Sequence, residues 1–183
     1  MYTSKLLYYT LLQEDDAFNR LLDHLESMPT EHFETELEDH AFASIRSHLV
    51  HLLLSGSRIM YMLGDREEPQ HDIAELRGIL EFRSAWNAWK RRASGWLMGK
   101  SEKELDHFEN FSWPSGRETR MPHGTMFMRM LFHIAHHKGQ IAAQCRLLGF
   151  PPPNTEILWI MPDSGSSSTP AEVSQPAPQS EEE

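Results

Sequence analysis

The sequence has one cysteine and no long apolar run, and each shortage excludes a class of protein. Cys145 alone cannot form an internal disulfide, and such low cysteine usage predicts a cytoplasmic protein. No apolar stretch reaches the length of about 18 residues that a membrane-spanning helix needs. The first residues lack the pattern of a signal peptide, so we expect no contact with a membrane.

Basic residues are also scarce. The 17 Lys and Arg residues are outnumbered by 27 Asp and Glu residues, for a formal net charge of −10. Half of that charge comes from the segment after Pro162, which has five acidic residues and no basic one. Because proteins that bind nucleic acid need a basic surface to neutralise phosphates, we expect no nucleic acid as a partner.

Apolar residues recur at helical spacing in four long segments of the 183-residue chain. This periodicity predicts helices over residues 3–27, 42–63, 73–98 and 125–148. Residues 101–104 have the form of a capping box and predict a short helix. The aromatic alternation that starts at Phe108, with a Pro-Ser-Gly turn at 114–116, predicts a small hairpin.

The predicted fold class is all-α: a four-helix bundle with a short extra helix and a small hairpin between helices three and four. We assign residues 1–162 to this domain. Residues 163–183 are rich in Ser, Pro and Glu and nearly free of apolar side chains. They predict a disordered acidic tail.

His133 and His137 are one turn apart in the fourth helix, on the face that also carries its apolar stripe. A buried imidazole needs a partner for each ring nitrogen. Two imidazoles at this spacing can bind one metal ion, and a third would leave open positions, as in catalytic sites. Gly139 costs the same helix about 1 kcal/mol relative to alanine, which predicts the close approach of another backbone.

The second helix offers two candidates for a third ligand, His48 and His51. At roughly 100° per residue, His48 lies about 60° from the strongest apolar stripe and His51 about 120°. The periodicity therefore favours His48. However, the helix is apolar around most of its circumference, so a face with His51 can also be buried, and both candidates remain.

Three motifs together resemble the DinB-like (DinB/YfiT) superfamily over nearly the whole chain before the tail. They are Ser-Ile-Arg at 44–46 followed by His51, the His-x-x-His-His-Lys-Gly-Gln run at 133–140, and Gly-Phe-Pro-Pro at 149–152. The resemblance implies a four-helix bundle that binds one divalent transition metal ion through three histidines. By motif position these are His51, His133 and His137. Zinc, nickel, iron and copper all suit such a site.

The resemblance also implies a function. Characterised relatives use the metal to activate a low-molecular-weight thiol, which implies a thiol S-transferase-like or hydrolase-like enzyme that acts on a small-molecule substrate. It further implies a homodimer. The alternative is a non-catalytic metal-binding protein that acts in a stress response or through partners.

The chain departs from the family pattern at three positions. Gly56 replaces an acidic residue that many members carry, Phe132 replaces Asn, and Lys138 replaces Arg. Because the acidic residue is missing, we assign no catalytic residue. Cys145 lies about 12 Å along the helix from His137, too far to bind the same metal ion, and we expect it to pack in the core.

Overall fold

The computed structural model describes residues 2–38, 42–65 and 74–156. Within these ranges the chain forms an all-α bundle with one small antiparallel hairpin, as predicted. The predicted tail, 163–183, lies outside the described residues. The elements are α1 (Ser4–Ser27), a 3-10 turn (Thr30–Phe33), α2 (Ile45–Met62), α3 (Ile79–Met98), α4 (Glu102–Leu105), β1 (Phe108–Ser112), β2 (Glu118–Pro122) and α5 (His123–Leu147).

Hydroxyl side chains cap the first two helices. Thr3 Oγ1 accepts a hydrogen bond from the amide of Leu6 at 3.0 Å. At the start of α2, the hydroxyls of Ser44 and Ser47 each accept the amide of the other residue, at 3.2 and 3.0 Å. Such caps satisfy amides that a helix leaves unpaired and contribute about 1 kcal/mol each. Because Ser44 is extended and acts as the cap, α2 begins at Ile45 and not at the predicted residue 42.

The start of α3 was predicted wrongly. The helix begins at Ile79 instead of residue 73, because the chain before it is bonded to Arg46 of α2 and, at Arg77 and Gly78, to the Glu81 side chain in the first turn of α3. Arg46 Nε donates to the carbonyl oxygen of Leu76 at 2.8 Å. The carboxylate of Glu81 then accepts the amide of Gly78 at 3.2 Å, which defines the first turn of α3. Arg46, the last residue of the Ser-Ile-Arg motif, thus ties the α2–α3 connection to the bundle.

The hairpin lies at the N-terminal end of α5. Its strands pair from Phe108 opposite Pro122 to Ser112 opposite Glu118. The turn contains Gly116 with a φ of +78°, a conformation that glycine adopts without steric cost. Since β2 runs directly into α5, the hairpin turn is held close to the first part of that helix.

Gly139 contradicts a prediction. The residue is exposed, and a Cβ atom built on it would meet no other described part of the chain within 4 Å. No other backbone in the described ranges approaches it closely, so the expectation drawn from a glycine in mid-helix was wrong. The glycine therefore leaves α5 without the helix-stabilising effect of a side chain at this position.

Each long helix packs against two others. α1 contacts α3 and α5, and α2 contacts α5 and α3, so the order around the bundle is α1, α3, α2, α5. The apolar stripes meet in one core, in which the rings of Phe18 and Trp86 lie 4.3 Å apart between centroids. Burial of each such side chain contributes about 1.5–3 kcal/mol. No helix in the described ranges is both long and apolar enough to cross a membrane.

A buried ion pair joins α1 to α5. Lys138 Nζ donates to Glu14 Oε2 at 2.8 Å, and the two side chains are only 6% and 3% exposed. Burial raises the pKa of Glu14, because the desolvation of its carboxylate outweighs the attraction of the Lys138 ammonium group. Lys138 directly follows His137, so the ion pair joins α5 to α1 next to this histidine.

Candidate metal centre

Three histidines from α2 and α5 come together inside the bundle. One ring nitrogen from each of His51, His133 and His137 lies within 4.8 Å of the other two. The closest pair is His51 Nε2 and His133 Nε2, at 3.0 Å. Two nitrogens that bind one ion at about 2.0–2.1 Å are about 3.4 Å apart in a tetrahedral site. Small rotations of the rings therefore suffice to bring all three onto one ion.

The helix geometry explains why these side chains meet. His133 and His137 are one turn apart on α5, and their ring centroids are 4.4 Å apart. His51 faces them from α2, the neighbour of α5 in the bundle, with centroid distances of 5.0 Å to His133 and 4.6 Å to His137. The predicted residues are thus brought together, and the group could hold a metal ion.

His48, the other candidate on α2, lies outside this group but contacts it from behind. The side chain is 1% exposed, and its Nδ1 is 3.2 Å from Nδ1 of His137. That contact leaves Nε2 of His137 for the three-histidine group. A histidine that binds a metal through Nε2 carries its proton on Nδ1, where it donates to an acceptor in the second coordination shell. His48 is positioned as this acceptor.

A phenylalanine closes the inner side of the group. The Phe42 ring lies 4.4 Å from the His51 ring, 4.9 Å from His48 and 5.4 Å from His137, between centroids. Its backbone is held in place by Gln144 of α5, whose Nε2 donates to the Phe42 carbonyl oxygen at 2.8 Å. The sequence analysis missed Phe42, because it lies in the connection before α2 and belongs to no helical stripe.

The environment keeps the three imidazoles neutral at neutral pH. Burial lowers the pKa of His137 to about 3 and of His133 to about 4, and the neighbouring imidazoles add to both effects. Burial also lowers the pKa of His51, with a smaller effect from the Arg58 guanidinium group. Neutral imidazole is the form that binds a metal ion. The donor set therefore fits a divalent transition metal in charge state as well as in spacing.

Ser55 adds a hydroxyl group beside the histidines. Its Oγ lies 3.0 Å from His133 Nε2 and donates to the backbone carbonyl oxygen of His51, one turn earlier on α2. The residue is one turn beyond His51, so a sequence reading that followed only histidines and carboxylates missed it.

A pocket of about 190 Å³ opens beside the group. Among the residues that the structure describes, no lining residue is acidic and two are arginines. The lining comprises His51, Ser55, Arg58, Ile59, Trp113, Arg129 and His133. Since two of the three histidines line it, a molecule in this pocket would contact the three-histidine group.

A tryptophan side chain fills the space beside Gly56 and leaves no room for a larger residue. A Cβ atom on Gly56 would lie 2.9 Å from Nε1 of Trp89, closer than real Cβ atoms approach. Trp89 is itself buried in the core and stacks on Trp86 at 4.7 Å. A carboxylate at position 56 would therefore require Trp89 to move, which gives a steric reason for the departure from the family pattern.

Three other residues of α5 are not members of the group. His136 is exposed, as expected for a residue rotated by about 100° from His137. Cys145 is free and fully buried, in agreement with a packing role. Gln140 Oε1 is buried without a hydrogen-bond partner in the described part of the chain.

Comparison with known proteins agrees with this architecture. No curated protein matches the chain. The sequence model of the DinB family matches residues 1–168, which include the whole bundle and all three histidines of the group. The chain therefore belongs to the DinB family.

Proposed function

We propose that this protein binds one divalent transition metal ion through His51, His133 and His137. The observation that carries the proposal is the convergence of three neutral imidazole nitrogens within 4.8 Å of one another, two of them on histidines that line an open pocket. Zinc, nickel, iron and copper all accept imidazole ligands, and availability in the cell contributes to the choice among them.

We further propose that the protein is an enzyme that acts on a small molecule, by a thiol S-transferase-like or hydrolase-like reaction. A divalent ion bound by three neutral ligands supplies a Lewis acid that can acidify a thiol or polarise a carbonyl group. The chain supplies the site around it. Phe42 shields the inner side, His48 orients His137, and the pocket admits a small molecule from the other side.

Metal analysis of the purified chain tests the ligand set. We expect about one ion per chain in the parent protein and a loss of the ion in His51→Ala, His133→Ala and His137→Ala. The matched control is His136→Ala, because this exposed histidine belongs to the same helix and lies outside the three-histidine group, although its ring is 5.1 Å from that of His137. Full metal content in His51→Ala, or none in the reconstituted parent, would contradict the assignment.

One observation favours a second candidate, a non-catalytic metal-binding protein of a stress response or of a complex. Among the described residues, the pocket lining is neutral or basic and offers no carboxylate that could serve as a general base. The two candidates differ in whether the metal has an exchangeable position. A small thiol that changes the absorption spectrum of the cobalt-substituted protein favours the enzyme, and an unchanged spectrum favours the second candidate.

A further inference from the structure

Arginine side chains surround the pocket beside the three histidines. Arg58 and Arg129 line it, and Arg117 joins Arg129 in an adjoining depression that shares the Trp113 side chain. All three arginines are exposed. In a chain with a net charge of −10, a basic cluster at the mouth of a pocket is unusual.

These three arginines have no acidic partner among the described residues. No carboxylate within residues 2–38, 42–65 and 74–156 forms an ion pair with Arg58, Arg117 or Arg129. Ion pairs are common at arginines elsewhere in the same ranges, namely at Arg20, Arg46, Arg77, Arg83 and Arg92. The acidic residues of this chain thus neutralise much of its basic surface but leave the pocket positive.

The two pocket arginines are aligned with the histidines. Arg129 precedes His133 by one turn of α5, and Arg58 follows His51 by two turns of α2, so each shares a helix face with a histidine of the group. The Arg129 guanidinium group lies 4.4 Å from the ring centroid of Trp113, which restricts its orientation. Trp113 is in turn held by a hydrogen bond from its indole nitrogen to Thr119 Oγ1 at 3.0 Å.

The positive charge lies next to the histidines. Arg58 and Arg129 line the same pocket as His51 and His133, and their guanidinium groups stay charged at neutral pH. The field in the pocket therefore opposes positive charge and favours an anion. Guanidinium groups bind carboxylates and phosphates through paired hydrogen bonds, which makes arginine the common choice for such groups.

We propose that the pocket binds a small anionic molecule, with its carboxylate or phosphate group between Arg58 and Arg129 and its other end at the three-histidine group. This inference rests on the proposed metal site and names the class of its substrate. The Trp113 and Ile59 side chains provide apolar contact for the part of the molecule in between. A cationic molecule is excluded by the same field.

Binding of matched thiols to the cobalt-loaded protein tests the inference. The probes are 3-mercaptopropionate and its uncharged amide, and the readout is the absorption band of the cobalt–thiolate bond. We expect the parent to prefer the acid by about tenfold or more, since charge-assisted hydrogen bonds distinguish the two. We expect Arg58→Met and Arg129→Met to lose most of this preference while keeping one metal ion per chain.

The control variant is Arg91→Met, which removes an exposed arginine of α3 that does not line the pocket. It should keep the preference of the parent. Equal binding of acid and amide by a fully metal-loaded parent would overturn the inference and leave the metal site intact. A loss of preference in Arg91→Met equal to that in the pocket variants would also overturn it, because the effect would then reflect net charge alone.

Two further measurements separate the remaining cases. Competition by inorganic phosphate and by acetate distinguishes a phosphate from a carboxylate as the preferred group. If the parent binds no metal, the proposed function fails, and the anion site is tested on the metal-free protein with inorganic phosphate. A phosphate-dependent shift of the Trp113 indole resonance that is absent in Arg58→Met supports the anion site, and no shift in the parent overturns it.

Discussion

At the level of single residues, the structure places His48 as a hydrogen-bond partner of His137. Its buried Nδ1 faces Nδ1 of His137 at 3.2 Å, so it can accept the proton that a metal-bound His137 carries there. From the sequence, His48 and His51 were alternative candidates for the third metal ligand. The tertiary structure gives them two positions, one in the group and one behind it.

Replacement of His48 by phenylalanine should weaken metal binding without abolishing it. The ring volume is kept, but the acceptor for His137 is lost, and loss of such a partner typically lowers metal affinity about 10- to 100-fold. Competition with a chelator measures the affinity, and elemental analysis measures the stoichiometry. His136→Phe serves as the control. Complete loss of metal in His48→Phe would mean that His48 is itself a ligand.

Cys145 should be unreactive in the folded protein. The side chain is fully buried, and burial raises the pKa of its thiol to about 11, so almost no thiolate is present at about pH 8. A thiol reagent should label the denatured chain at this one position and the native chain hardly at all. Rapid labelling of the native protein would show that the core opens near the end of α5.

At the level of secondary structure, two glycines in helix interiors have opposite surroundings, one crowded and one open. Gly56 in α2 faces the indole of Trp89, whereas Gly139 in α5 is exposed with no atom near its Cβ position. From the sequence both are glycines at helical positions near the histidines. The difference depends on what the neighbouring helix presents, which no local pattern contains.

Alanine substitutions at these two glycines should therefore change stability in opposite directions. Gly139→Ala should stabilise the protein by about 0.5–1 kcal/mol, the usual gain in helix propensity. Gly56→Ala gains the same propensity but forces a Cβ against Trp89, and overpacking costs about 1–3 kcal/mol, so we expect net destabilisation. Urea denaturation measures both free energies of unfolding. Stabilisation by Gly56→Ala would mean that Trp89 moves easily.

The ends of the helices also differ in whether local residues or a distant residue define them. The capping box that starts at Ser101 caps the short helix predicted for it. Thr3 and Ser44 are also local caps, but α2 was predicted to begin at residue 42, two residues before its Ser44 cap. The start of α3 depends on Arg46, which lies on another helix and binds the connection through the Leu76 carbonyl oxygen. The periodicity of α3 could not reveal this contact, because it concerns a residue about 30 positions away in the chain.

At the level of the whole molecule, the Glu14–Lys138 pair links two helices in the interior. Both residues fall on apolar stripes, so the sequence carried a signal that two charges are buried. Their mutual distance of 2.8 Å follows only from the packing of α1 against α5.

Removing one partner of this pair should cost far more than replacing both. Glu14→Leu or Lys138→Met leaves an uncompensated buried charge and should destabilise the protein by about 3–5 kcal/mol. The double variant should recover most of that loss, because apolar side chains of similar volume are tolerated in place of a buried pair. A double-mutant cycle by urea unfolding measures the coupling. Additive losses would show that the two residues do not act as a pair.

The implied homodimer stays a prediction. Phe82, Trp86 and Trp89 of α3 are at most 3% exposed, so these large aromatic side chains lie inside the bundle and are not available for an interface. The mass of the protein in solution, measured by light scattering, distinguishes a monomer from a dimer.

Periodicity, hydroxyl caps and the spacing of His133 and His137 are local properties, and the helices, the short hairpin and two of the three grouped histidines follow from them. The choice of His51 followed from the family motif and not from helical geometry. Other features depend on contacts between segments distant in the chain. They are the neighbour of Gly56, the contact of His48 with His137, the packing of Phe42 on the histidines, and the placement of Trp113 and two arginines in the pocket. Such contacts arise when amphipathic helices pack, because a stripe defines which face is buried but not its partner.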